Sequence, residues 1–171
     1  MRLDLDQIRP HGLDTTLRLS DVDLNDYDGI HVAGGVGAAV DLFPNDDVAA
    51  ALEHFWAAGK VVGAICHGAI SLGNIPLRLR GKRVTGYSLK EDLALEGRFG
   101  KGFVPNYPQP TLESTGAIYS AAGEHVVHVV VDGKLVTGQN QESASEYALA
   151  FHHLLNGTSP VVVVSPNSAP A

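Results

Sequence analysis

The stretch that decides the fold is Gly59-Lys-Val-Val-Gly-Ala-Ile-Cys-His-Gly-Ala-Ile-Ser-Leu-Gly-Asn74. A short apolar run, Lys60 to Ile65, leads straight into Cys66-His67-Gly68 and then into a short apolar helical pattern. Small residues lie two positions before and two after the cysteine, Ala64 and Gly68. This is the small-x-nucleophile-x-small pattern of a nucleophile elbow, with Cys in place of Ser. A sharp strand-to-helix turn crowds neighbouring backbone, so its flanking side chains must be tiny. The turn also leaves the sulfur at a helix start, where the peptide dipoles favour thiolate over thiol. The amide of His67 would face a developing oxyanion. The competing reading is a buried structural cysteine, because free Cys is among the most buried residue types.

On either side the same alternation recurs. Upstream, Gly29-Ile30-His31-Val32-Ala33 reads as a strand ending in Gly34-Gly35. A helix is expected from about Asp46 to Ala58, with Val48, Ala51, Leu52, Phe55 and Trp56 on one face. Asn45 caps its start and Gly59 supplies its left-handed stop. Downstream, residues 82–87 read as a third strand, and 89–109, rich in Gly and Pro, as mostly loop. Val126 to Val131, then Asp132-Gly133, then Lys134 to Thr137, predict a hairpin. A last helix is expected to open at Ser143 with Glu146 completing a capping box, burying Ala144, Tyr147, Ala148, Phe151 and Leu155. Residues 158–171 read as a flexible tail whose four valines, 161–164, can dock as an edge strand.

Apolar strands alternating with helices indicate an α/β sandwich with a mainly parallel sheet, which binds ligands beyond the carboxyl ends of its strands. Both Gly34-Gly35 and Cys66-His67 fall there. The glycine turn lacks the dinucleotide fingerprint and a P-loop lysine; it reads equally as a close approach of backbone N–H to the cysteine or as a plain strand-to-helix turn. Glu91 and Asp92 follow the third strand, where a carboxylate can orient His67 as the third member of a nucleophile, base and orienter set; a solvated acidic pair is the alternative. Of the other histidines, His31 and His128 lie in strands as hydrogen-bonded core or edge residues. His54, His152 and His153 lie on helices without metal-ligand spacing. Nothing here argues for a metal or cofactor.

Composition bounds the partners. The 171 residues carry 12 Lys and Arg against 19 Asp and Glu, a net charge of −7, which disfavours nucleic-acid backbones and anionic membranes. Cys66 is the single cysteine, so no intrachain disulfide forms, as fits a reducing compartment. No apolar run is long enough to cross a bilayer and the N-terminus lacks an apolar signal core, which makes the cytoplasm the expected location.

Four blocks carry a family resemblance: DYDGIHVAGGVGAAVDL (26–42), GKVVGAICHGAISLGN (59–74), GKRVTGYSLKED (81–92) and VHVVVDGKLVTGQNQESA (127–144). Together, in this order, they resemble the ThiJ/PfpI superfamily of class I glutamine amidotransferase-like proteins, over roughly residues 12–157, and most of all its heat-shock chaperone and glyoxalase III branch. The resemblance implies a flavodoxin-like three-layer α/β sandwich and a homodimer. It places the catalytic Cys on Cys66, its adjacent His on His67 and the oxyanion amides on Gly35 and His67. The acidic member falls on Asp92, with Glu91 the neighbouring option. It implies attack of the Cys66 thiolate on a small aldehyde, methylglyoxal, and release of lactate without glutathione. Related members act as deglycases on glycated side chains, as stress chaperones or as amidases.

Three departures stand out. The branch begins with a further βαβ segment carrying a Glu beside the Cys, which has no counterpart here. Residues 1–25 are then expected to be a remnant of an N-terminally shortened domain, 1–157. Val36 stands where the branch has His, and Ala69 where it has Pro. These departures favour, as the alternative, a non-catalytic chaperone or thiol oxidation sensor. A class I glutaminase-like subunit ranks third, since no later His-x-Glu occurs.

Overall fold

A computed structural model describes residues 16–160. Its main sheet is built from β1 (Gly29–Val32), β2 (Val61–Ile65), β5 (Val129–Asp132) and β6 (Leu135–Gly138), in the order β1-β2-β6-β5. The first three in that order are parallel, Gly29 facing Val61 and Val62 facing Leu135, while β5 closes onto β6 as an antiparallel hairpin. β2 is the centre. All five of its residues are buried, as a strand covered on both faces requires, and its run is accordingly apolar throughout.

Helices cover both faces. On one lies α2 (Asp46–Ala57); a four-residue turn of helix, α1 (Ala38–Asp41), precedes it. Asn45 Oδ1 accepts from Val48 N at 3.0 Å, capping α2 as the sequence predicts. Val48, Leu52 and Phe55 then pack with Val32, Val62, Ala64 and Leu135. On the other face Tyr147 and Ala150 of α6 (Ala144–Leu155) pack with Ile65, Val129 and Val136. This face needs a gap in the sheet. A Cβ on Gly63 would stand 2.7 Å from the Phe151 ring, so only glycine lets α6 lie this close. The chain is thus a flavodoxin-like three-layer α/β sandwich with a mostly parallel sheet.

Four local expectations are corrected. The expected strand over 82–87 shrinks to β3 (Arg83–Val84), which pairs in parallel with β4 (Ile118–Tyr119) in a separate two-stranded ladder. Beyond Val84 the backbone donors leave the ladder pattern: Thr85 N donates to the Thr137 side chain and Tyr87 N to the Cys66 carbonyl. The expected loop over 89–109 holds α4 (Leu89–Phe99) and the start of α5 (Pro108–Ser114); a short α3 (Pro76–Leu79) comes earlier in the chain. Ser88 opens α4 with a complete capping box, its side chain bonded to Glu91 N and Glu91 reaching back to Ser88 N. Pro108 supplies the fixed first-turn φ of α5.

The cap expected at Ser143 fails, because Ser143 is itself helical and lacks a capping bond. Asn140 takes that role one turn earlier, receiving Ser143 N. Starting the turn there rotates α6, so Tyr147, Ala150, Phe151 and Leu154 face the sheet while Ala144 and Ala148 are exposed. The four valines at 161–164 and residues 1–15 of the segment expected to be a remnant, 1–25, lie outside the described residues.

Candidate active site

Cys66 and His67 come immediately after β2, Asp92 lies in the first turn of α4, and Gly35 follows β1. Cys66 follows β2 directly with φ +59°, the left-handed region that costs a non-glycine residue about 1–3 kcal/mol and persists only where surroundings impose it. The surroundings are visible. A Cβ on Gly34 would stand 2.7 Å from Cys66 Cβ and 3.4 Å from Sγ, and one on Gly68 would run into the Ala33 carbonyl oxygen and stand 2.8 Å from its carbonyl carbon. The elbow therefore packs glycine against backbone on both sides, and the smallness predicted at position 68 has a steric cause. The segment after the cysteine is a 3₁₀ helix, Cys66–Asn74, rather than an α-helix. Ser71 Oγ donates to Gly68 O at 2.7 Å within it.

Cys66 is half-buried, so its sulfur reaches both solvent and the interior. His67 Nδ1 lies 3.6 Å from Sγ, and Nε2 donates to Asp92 Oδ1 at 2.8 Å. The three groups form one line, Cys66–His67–Asp92, with the imidazole between sulfur and carboxylate. Asp92 and not Glu91 is the acidic partner of His67. Both carboxylates sit in the first turn of α4 and both are buried, which overturns the solvated-pair alternative. The Tyr87 ring lies against His67, centroids 4.2 Å apart, and closes one side of the imidazole.

These contacts fix the charges. Burial alone would keep His67 neutral, but the hydrogen bonds to Asp92 and Cys66 outweigh it and raise its pKa to about 9. Burial pushes the Asp92 carboxyl up, opposed by its bond to His67. An imidazolium held at neutral pH donates from both nitrogens, to Asp92 and toward the sulfur, which is the arrangement that stabilises a thiolate.

Gly35 follows the Gly34 that packs on Cys66; its φ is +108°, a conformation L side chains rarely adopt, and its carbonyl accepts Ala38 N at the start of α1. Val36 packs with Leu95 and Tyr107 around Ala39, Ile70 and Val104. His31 and His128 are satisfied residues, bonded to Tyr147 OH and Ser120 Oγ respectively. Among the described residues no group of three His, Cys, Asp or Glu side chains is arranged to hold a metal ion. Sequence reasoning missed Tyr87 and the pair Gln139-Asn140, whose side chains bond Glu91. Their signal was two polar residues directly after an apolar strand.

Residues 9–154 match the DJ-1/PfpI family. The chain belongs to that family. It is 29% identical to a glutathione-independent glyoxalase of Schizosaccharomyces pombe over 81% of this chain and 62% of that protein. To the human glutamine amidotransferase-like class 1 domain-containing protein 1 it is 31% identical, over 74% of this chain and 58% of that one. The structure of glyoxalase III from Candida albicans superposes with a TM-score of 0.76 at 28% identity, covering 86% of this chain and 66% of its own. The chain thus spans 62% and 58% of the length of these two curated relatives. Among the described residues no helix is long and apolar enough to cross a membrane.

Proposed function

We propose that this chain is a cysteine-dependent, glutathione-independent glyoxalase that converts methylglyoxal to lactate. The observation that carries the reading is the aligned set Cys66, His67 and Asp92 on a strained elbow, in a family member related to glyoxalases. The Cys66 thiolate, paired with the His67 imidazolium, adds to the aldehyde carbon. The new oxyanion lies toward the amides of Gly35 and His67, and protonation gives a hemithioacetal. The aldehyde C–H proton then moves to the neighbouring carbon as the ketone is reduced to a hydroxyl and the former aldehyde carbon becomes a thioester. Water hydrolyses that lactyl thioester, returning the thiol and releasing lactate. The atoms balance without an external oxidant or reductant. Asp92 holds the imidazole orientation and stabilises its charged form. A homodimer in the cytoplasm belongs to the same reading.

The test is lactate formation from methylglyoxal without glutathione, for the wild type and Cys66→Ser. Cys66-dependent lactate is the expected result. A folded wild type with a reactive thiol and no lactate overturns the proposal. In that case the half-buried, imidazolium-paired thiol favours an oxidation sensor, read as a peroxide-dependent mass increase at Cys66.

A further inference from the structure

Asp92 is held in an unusual way for so important a position. Its Oδ1 bonds His67, while its Oδ2 is buried without a hydrogen-bond partner. Apart from His67 itself, no side-chain hydrogen bond fixes its aim, so the backbone of the first turn of α4 must do so. That turn is pinned by the preceding residue. The Glu91 carboxylate, 2% exposed, accepts five hydrogen bonds. Oε2 receives Ser88 Oγ at 2.6 Å, Ser88 N at 3.1 Å and Gln139 Nε2 at 3.0 Å. Oε1 receives Asn140 Nδ2 at 2.9 Å and His125 N at 3.2 Å.

Those donors are themselves anchored. Gln139 Oε1 accepts Ala122 N at 2.7 Å and Asn140 Oδ1 accepts Ser143 Oγ at 2.8 Å, which orients both amides with their NH₂ groups on Glu91. The carboxylate thus joins the start of α4 to the end of β6 and to the 122–125 loop. All five donors are neutral, and no Lys or Arg pairs with Glu91 among the described residues. A buried charge held this way costs more to build than a neutral amide would, unless the charge itself is used. It stands one residue before Asp92, where like charge makes that carboxylate a stronger acceptor for the His67 N–H.

We infer that Glu91 is a positioning residue for the reactive cysteine: it pins the turn that aims Asp92 at His67, and its charge strengthens the hold of Asp92 on the imidazolium that stabilises the Cys66 thiolate. The inference rests on reading Cys66, His67 and Asp92 as the working groups, and not on the identity of the substrate. The titratable groups around His67 are Cys66 beside it, Tyr87 stacked on it, and Asp92, Glu91 and Glu96 on α4. Behind them lie Tyr107, and His125 paired with Glu142.

The test follows the His67 ring by NMR as a function of pH, in the full chain, beside the rate of Cys66 alkylation by iodoacetamide at pH 7. Glu91→Gln is expected to lower the His67 midpoint by about one unit and to slow alkylation at least about threefold. Asn140→Ala, which keeps the charge and removes one of the bonds to it, should lower the midpoint by less. Leu52→Ala, on the buried face of α2, should lower the unfolding temperature and leave the midpoint alone. A wild-type midpoint in folded Glu91→Gln overturns the inference. If that variant does not fold, a wild-type midpoint in Asn140→Ala overturns it instead, as does an equal shift in Leu52→Ala. Shifted midpoints in a protein whose wild type makes no lactate leave Glu91 in this role and remove the glyoxalase reading alone.

Discussion

The sandwich layers and the turn at the carboxyl end of β2 are built on different principles. Around α2 and α6 the contacts are apolar and shared: Leu52 is one of thirteen residues in its cluster. At the turn the buried groups are polar, and each is held by specific hydrogen-bond partners. His67 has Asp92 on one nitrogen and Cys66 near the other. A layer can lose a methyl group and repack, whereas the turn loses a function with one atom. Substitutions in the two regions should therefore separate stability from reactivity.

The largest effect is expected where the two are most cleanly divided. Asp92→Asn keeps the shape of the side chain and removes the charge that holds His67 protonated, so turnover of methylglyoxal should fall by about 10³-fold or more. Unfolding should change less, because the Asp92 side chain makes a single hydrogen bond, to His67. Steady-state kinetics beside a urea denaturation curve checks this. A variant that turns over at the wild-type rate would show that the carboxylate is structural.

Leu52→Ala is the mirror experiment. The side chain is wholly buried, and its removal should cost about 2–5 kcal/mol with alkylation of Cys66 unchanged at temperatures where the protein stays folded. Gly68→Ala sharpens the comparison because it sits on the border. Its new methyl runs into the Ala33 carbonyl group, a clash with backbone that no side-chain rotation can relieve. Stability should fall by about 2–3 kcal/mol and alkylation should slow together with it, since the elbow must shift. Loss of stability with an unmoved thiol rate would mean that the turn tolerates displacement as a layer does.

The same division explains what the sequence made legible. The 3.6-residue period of α2 and the alternation of strands and turns report burial against a sheet, and they located β1, β2, the hairpin and both main helices. The elbow was readable because its steric demand falls on consecutive residues, Ala64 to Gly68. Helix α4 was not, because Gly97, Gly100 and Pro105 outweighed a capping box at Ser88 that reads as two ordinary polar residues. The same holds for Ser143. Its spacing to Glu146 fits a cap, yet Asn140 wins because its side chain is already fixed by Glu91 across the fold. Glu91 and Asp92 were indistinguishable by position along the chain. Only the turn of α4 points one at the imidazole and the other at β6. Polar partners far apart in sequence leave no period to detect.

A pH titration tests the turn against the layers through the proton on His67. The His67 pKa is raised from 6.5 to about 9 on folding, so the protonated ring stabilises the folded chain. That contribution is complete below pH 6.5 and is lost as pH rises through 9. Wild-type unfolding free energy should decline across this window, and His67→Gln should be nearly flat there. Parallel curves for the two proteins would place the proton elsewhere in the site.

The smallest effect belongs to the surface. Arg78 Nε and Glu53 Oε2 are 3.0 Å apart, joining α3 to α2, but their side chains are 43% and 42% exposed. Water and salt screen such a pair, and ordering two long side chains offsets most of the attraction. Arg78→Ala should therefore change stability by no more than about 0.5 kcal/mol, and that difference should shrink in 1 M NaCl. The distance equals that of many buried bonds in the site, so the contrast with Asp92→Asn isolates burial as the variable. An Arg78→Ala penalty as large as that of Leu52→Ala would break the comparison, because an exposed contact of this length would then be carrying weight here assigned to buried ones.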